Sequence, residues 1–397
     1  MRERTVITGC GAVTSVAASA AGTWSAAVAG ATGVSPIEGF DASGFTCRLA
    51  AQVSGLDGES LGVSPRDARI MGLPGLMLLG SGREAMAEAG LRGEAASPEE
   101  IGFFAGMGMV DPAPEDLRAA VAVSRAPAGI DYERFFGDGY RQIYPLWPLA
   151  MLNNVGFCLA ALHLGVRGDN AVFSPGADAA LLAVAEASAA VSAGRAAAAL
   201  AGGTSERVCT GSLARAHLVG GWGEPGANCA LGEGAALLVV EAESVARARG
   251  ATPRAVVSGW GFSHAASASE GFEAAMESAL ETAGRDPRPA DTVILHDERC
   301  RGTAGAERDA IAHILGGKAQ PTALLSSKGM LGHALAGGAA VDVVLAVHTL
   351  DGGLVPRLLI QDAGAPPCDA AARPHRIVVN ARSWSDTYGS LILDAVE

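Results

Sequence analysis

Aromatic residues make up only 5% of the 397-residue chain, and basic residues are few, 29 Lys and Arg against 42 Asp and Glu. A formal charge of −13 with so few rings argues against nucleic acid, which needs basic patches and stacking platforms. Anionic membrane surfaces are disfavoured on the same ground. Leu-rich runs are missing too: the longest apolar stretch, 179–203, is Ala-rich, follows Asp178 and is broken by Glu186 and Arg195. It does not read as a membrane span. The opening MRERTVITGCGAV enters a strand-like run at once, without a signal-type apolar core, so a cytoplasmic location is expected. No CxxC spacing joins Cys10, Cys47, Cys158, Cys209, Cys229, Cys300 and Cys368, which read as reduced thiols rather than a disulfide framework or a metal site.

What is present is an ample apolar fraction, 49% against 18% charged, and a pattern used twice. The first half opens on the strand-like Thr5–Val13 and continues with a helix over 68–89 and a strand over 101–106. A helix over 177–194 and strands over 197–201 and 235–241 follow. The second half opens similarly at 254–261, then alternates a helix (270–283), a strand (292–296) and a helix (307–315). A glycine-punctuated helix (334–349) and strands at 376–380 and 391–394 close the chain. Strands alternating with helices imply crossover connections and a layered α/β fold. Two similar halves, 1–250 and 251–397, suggest a duplication in a five-layer αβαβα arrangement. A polar insertion over about 111–150 is expected to cap the core or form an interface, and 361–374 reads as a surface connection.

Four segments carry candidate chemistry. Val172-Phe-Ser-Pro-Gly-Ala-Asp178 is a strand–turn–helix elbow, which presents one side chain at a helix N-terminus where anions are stabilised. The competing reading is a plain helix start with Ser174 as cap and Pro175 in the first turn. Thr292-Val-Ile-Leu-His296 places a histidine at a strand end, facing the crevice of an α/β fold or simply satisfied in the core. Lys328 and His333 lie five apart in glycine-rich backbone, with Asp342 on the next helix, a set suited to proton handling. Val379 to Gly389 is a strand leaving into a polar, aromatic turn, either a gate with Trp384 or an ordinary turn.

Together these pieces resemble the β-ketoacyl synthase branch of the thiolase superfamily. The resemblance rests on Val6-Ile-Thr-Gly-Cys-Gly-Ala-Val13, Gly39-Phe-Asp41, Ala201-Gly-Gly-Thr204, Leu231-Gly-Glu-Gly-Ala235 and Ser326-Ser-Lys-Gly-Met-Leu-Gly-His333. It implies the thiolase fold, with His296, Lys328 and His333 as retained site residues. It also implies departures. The family's S-x-x-C elbow counts out to Ala177, and a methyl group forms no thioester. The H-G-T-G-T segment becomes His296-Asp-Glu-Arg-Cys300, with Glu298 and Cys300 where two threonines usually hold phosphopantetheine, and Glu307 in its usual place. The partner glutamate of the lysine is the shorter Asp342. The G-F-G-G gate becomes Ser383-Trp384-Ser385-Asp386, without the glycines such a loop needs for motion.

That pattern resembles the chain-length factors, the nucleophile-less partner subunits of bacterial type II polyketide synthases. It implies a heterodimer with a Cys-bearing ketosynthase, setting polyketide or polyene chain length, in which Trp147 or Met151 closes a tunnel end. No cofactor of its own is implied: the phosphopantetheine of an acyl carrier protein would act through the partner. Retention of His296 and His333 departs from the aromatic-type members. Two alternatives stay open, a malonyl-carrier-protein decarboxylase using His296, His333 and Lys328, and a condensing enzyme with Ser174 or Cys158 as displaced nucleophile.

Overall fold

A computed structural model describes residues 3–91, 96–112, 114–219, 230–284, 290–297, 305–315, 323–352, 356 and 374–397. Its strands in the first part of the chain are β1 (Thr5–Thr14), β2 (Val34–Pro36), β3 (Leu49–Ala51), β4 (Ile101–Met107) and β5 (Arg125–Ala126). Then come β6 (Gly129–Ile130), β7 (Asn170–Phe173), β8 (Ala198–Thr204), β9 (Leu231–Gly232) and β10 (Gly234–Ala242). The second part adds β11 (Ala255–His264), β12 (Thr292–Ile294), β13 (Ala323–Leu325), β14 (Arg376–Arg382) and β15 (Thr387–Asp394).

Ten of these form one sheet in the order β13-β12-β14-β15-β11-β1-β10-β8-β4-β7. Outward from the central β1–β11 pair, both directions read alike. β1 pairs antiparallel with β10, and β10 with β8, after which β8, β4 and β7 run parallel. β11 pairs antiparallel with β15, and β15 with β14, after which β14, β12 and β13 run parallel. The expected duplication is therefore written in the pairing itself.

The sequence reason lies in the opening strand of each half. Gly9 and Gly11 of β1 sit against the helix Pro65–Glu88, where an added Cβ would come within 2.3 Å of Ala85 O and 1.9 Å of Ser81 O. Gly259 and Gly261 of β11 do the same for the helix Ala268–Thr282, at 2.3 Å from Ala279 O and 2.2 Å from Ala275 O. Each glycine pair lets a helix backbone lie directly on the sheet. Helices 65–88 and 153–164 cover one face of the first half, and 268–282 with 306–315 cover the second. Helices 178–192 and 335–352 fill the middle layer between the two halves. The latter is apolar over most of its surface because it is enclosed, with Asp342, His348 and Asp351 as its ionisable exceptions. It is the one helix among the described residues long and apolar enough to cross a membrane, and 83% of it is buried in this core.

Arg254 stitches the layers together, bonding Glu88 at 2.8 Å, Asp351 at 3.1 Å and His348 Nδ1 at 3.3 Å. His348 also stacks on Trp24, with ring centroids 5.5 Å apart.

Several local expectations are revised. The helix expected over 68–89 is broken at Gly72 (φ 59°), just before Pro74, so its first turns point elsewhere than its last. Ser174 does not cap the elbow helix, which starts at Asp178 with Ala177 at the cap position. The strand expected to end in His296 stops at Ile294. The insertion is largely short helical turns, including Pro114–Val123 and a π-turn at Phe135–Gly139. Segment 361–374 lies almost wholly outside the described residues.

Two outcomes are expected. Gly11→Ala and Gly261→Ala should each cost about 1–3 kcal/mol in urea unfolding, whereas Gly44→Ala, with open space around it, should stay within about 0.5 kcal/mol. Burial and Arg254 push the His348 imidazole down to about 4. A depressed imidazole contributes stability that is complete above its free value near 6.5 and is lost as pH falls through about 4. His348→Phe should flatten that acid limb, read as unfolding midpoint against pH; an unchanged limb would contradict the assignment.

Candidate functional site

The elbow is built by β7 and the loop after it. Ser174 turns away from the tip: its hydroxyl donates to Met107 O at 2.8 Å and accepts from Asn153 Nδ2 at 3.2 Å. Gly176 then passes so close to the β14–β15 hairpin that an added Cβ would lie 2.2 Å from Ser383 Cβ. At the tip sits Ala177, 2% exposed, at the head of helix 178–192 with a methyl group that caps nothing. Cys158 is exposed on helix 153–164.

His296 is held by a buried carboxylate. Glu307 takes the backbone N–H groups of His296 and Asp297 on its two oxygens, at 3.0 Å each, and the Asn380 amide at 3.1 Å. Asn380 is itself fixed by the Ser390 hydroxyl at 2.7 Å. The turn this creates is tight enough to place Asp297 at φ 51°. Burial pushes the Glu307 carboxyl up, against the pull of His296 and of the three donors. His296 Nδ1 accepts from the Arg382 N–H at 3.3 Å, which leaves Nε2 to face inward.

His333 arrives from the opposite side on a glycine. Gly332 adopts φ 63° and passes Leu231 O so closely that an added Cβ would lie 2.6 Å from it. The His333 N–H then donates to Ala230 O at 2.7 Å, and its carbonyl accepts from Gly232 N–H at 3.0 Å. Glu233, next along, staples this strand by accepting from Val53 and Val208 N–H groups at 2.8 and 2.7 Å. The result is that the Nε2 atoms of His296 and His333 stand 3.4 Å apart, both rings buried. Two imidazole edges converging on one point can polarise a carbonyl or hold an enolate oxygen.

Lys328 is one of only two lysines in the chain. Its ammonium pairs with Asp342 at 2.6 Å, and the Ser327 hydroxyl donates to the other Asp342 oxygen at 2.5 Å. That rarity is a signal the composition already carried: a chain that otherwise uses arginine keeps a lysine here.

The turn between β14 and β15 is tied shut. Ser383 N–H donates to Thr387 O at 2.9 Å, Ser383 and Ser385 hydroxyls meet at 2.9 Å, and Arg382 reaches Asp386 at 2.8 Å. Trp384 packs, partly buried, on a cluster with Ala50, Val208, Leu213 and Leu231. Asp178, at the first position of the elbow helix, adds a bond from the Thr387 hydroxyl at 2.8 Å. Motif matching passed over Asp178 and Arg382, since an acid opening a helix looks ordinary. Glu298 and Cys300 lie outside the described residues.

Beside the elbow, the kink at Gly72 opens a cavity of about 280 Å³. Met151 lines it together with Met71, Leu73, Met107, Met109 and Leu152, whereas Trp147, at the start of a short helix (Trp147–Ala150), does not.

Comparison with known proteins gives a consistent picture. Residues 2–246 match the beta-ketoacyl synthase N-terminal domain and residues 254–361 its C-terminal domain. A 3-oxoacyl-[acyl-carrier-protein] synthase 2 from Coxiella burnetii is 26% identical over 100% of this chain and 99% of that protein. A Streptomyces rimosus protein named as an oxytetracycline polyketide beta-ketoacyl synthase is 27% identical over 92% of this chain and 89% of its own length. Among solved structures, the ishigamide ketosynthase/chain length factor superposes with a TM-score of 0.84, at 22% identity and full coverage of both chains.

Glu307→Gln would set an amide N–H against one of the two backbone donors it now receives. The expected loss is about 1–3 kcal/mol in urea unfolding, with Glu307→Asp, too short to reach, no better. Unchanged stability would contradict the role given to this carboxylate.

Proposed function

The chain belongs to the β-ketoacyl synthase family, and from that premise we propose that it is a nucleophile-less partner subunit of a type II polyketide synthase. It would pair with a Cys-bearing ketosynthase and shape the tunnel that sets polyketide or polyene chain length. The observation that carries this reading is Ala177 at the tip of an otherwise intact elbow, with no side-chain oxygen or sulfur to take an acyl group. The tied Ser383–Asp386 turn supports it, since an acyl gate must move. The likeness to the ishigamide ketosynthase/chain length factor fits as well.

A surface for the partner is available. Among the described residues β7 closes one end of the sheet with β4 as its strand partner, so that Asn170–Phe173 forms an edge. Nine of the fifteen exposed large hydrophobic side chains among the described residues fall between Val121 and Leu162, in the insertion and the helix flanking β7. Such a concentration supports an interface there. The cavity beside Met151 has an adaptable methionine wall facing charged residues such as Arg69, Asp111 and Asp116, and its Met71, Met107, Met109 and Met151 side would receive the end of a growing chain. Phosphopantetheine would then be handled by the partner, and the acidic surface at −13 leaves docking of an acidic carrier protein to that subunit.

A second reading has one observation in its favour. The Nε2 atoms of His296 and His333 converge to 3.4 Å, and decarboxylation of a malonyl thioester needs an enolate-stabilising pair but no nucleophile.

Native mass spectrometry of the chain co-expressed with a Cys-bearing ketosynthase encoded beside it separates the two. A complex with one copy of each is expected; a homodimer that ignores the ketosynthase would sink the partner reading and favour the decarboxylase. In the working complex, Met151→Trp should shorten the product by at least one extension unit, and an unchanged product would remove Met151 from the tunnel.

A further inference from the structure

The elbow carries a charge that the loss of cysteine does not explain. Asp178 follows Ala177 directly and turns its side chain inward. One carboxylate oxygen accepts from the Thr387 hydroxyl at 2.8 Å. The other lies over Gly176, 2.5 Å from where a Cβ there would be, and a Cβ at Gly389 would meet Asp178 Cβ at 3.5 Å. The helix behind it is 15 residues long, and its first N–H groups, of Ala179 and Ala180, make only 3.3 Å contacts to Gly176 O and Ala177 O. Burial pushes the carboxyl up, and the Thr387 hydroxyl, the helix N–H groups and the nearby His296 pull the other way. Across the hairpin, Arg382 and Asp386 pair with each other.

Helix N–H groups, the helix dipole and a neighbouring histidine are the features that stabilise a reactive thiolate at a helix N-terminus. Here a carboxylate stands at that terminus, one oxygen bonded by Thr387 and the other buried over Gly176 without a hydrogen-bond partner. We infer that Asp178 occupies the anion position of the elbow, so that the missing nucleophile is fixed twice: by the methyl group of Ala177 and by a resident negative charge beside it. Restoring a thiol at 177 would not restore an activated nucleophile, because the thiolate would have to form against that charge. The same carboxylate bolts the β14–β15 turn to the elbow through Thr387. Asp178 is a positioning residue in this account, and the inference stands whether or not the partner reading does.

The test is made on the full chain carrying Ala177→Cys, alone, with Asp178→Asn, and with Thr387→Val. Alkylation by iodoacetamide is followed between about pH 5.5 and pH 9, on the peptide containing position 177, by mass spectrometry. Access to the position is shared by the Ala177→Cys variants, so rate ratios report charge. The thiol in the single variant is expected to react slowly at about pH 6.5, and Asp178→Asn to speed it about fivefold or more while moving the profile to lower pH. An acceleration below about fivefold overturns the inference. So does an equal acceleration by Thr387→Val, which loosens the turn but leaves the charge. Should the Asp178→Asn protein fail to fold, Asp178→Ser reads the same difference.

Discussion

Backbone contact between a helix and a strand, possible only where the strand has glycine, organises this protein. Gly9 and Gly11 admit the backbone of helix 65–88, and Gly259 and Gly261 admit that of helix 268–282, with built Cβ atoms falling inside 2.4 Å of helix carbonyls in every case. Because both opening strands carry the same device, both halves settle on the same order of strands and meet at the β1–β11 pair. The two central helices then lie back to back, and the elbow of one half faces the histidine turns of the other.

On that frame two buried histidines converge near an elbow that ends in a methyl group. The supports of this site remain costly and specific: Glu307 buried under two backbone N–H groups, Gly332 held in a left-handed turn, Lys328 paired with Asp342 in the core. A buried carboxylate with three donors is favourable only while the turn it holds is kept. The histidine geometry therefore persists in a chain whose elbow ends in a methyl group, while the turn above that elbow is closed by serine and aspartate bonds in place of mobile glycine.

Much of this was legible in the amino-acid order, and for identifiable reasons. Val6-Ile-Thr-Gly-Cys-Gly and Val256-Val-Ser-Gly-Trp-Gly announce paired openings because glycine spacing in a strand reflects one local contact. Ala177 could be located by counting from Ser174, and His296, Lys328 and His333 by their motifs. The break at Gly72 was hidden because it depends on Pro74 and on the insertion packed beside it, not on periodicity. The convergence of His296 and His333 at 3.4 Å joins residues 37 apart and needs the fold to be seen. Asp178 and Arg382 were passed over because their meaning comes from neighbours across the molecule, Thr387 and His296 in one case and Asp386 in the other.

On the proposed reading this chain shapes acyl-transfer chemistry without itself carrying an acyl group. Intact-protein mass spectrometry of the two-subunit complex after incubation with an acyl-carrier-protein thioester tests it directly. The Cys-bearing subunit should gain the acyl mass while this chain keeps its unmodified mass. An acyl adduct on this chain, at any residue, would contradict the account.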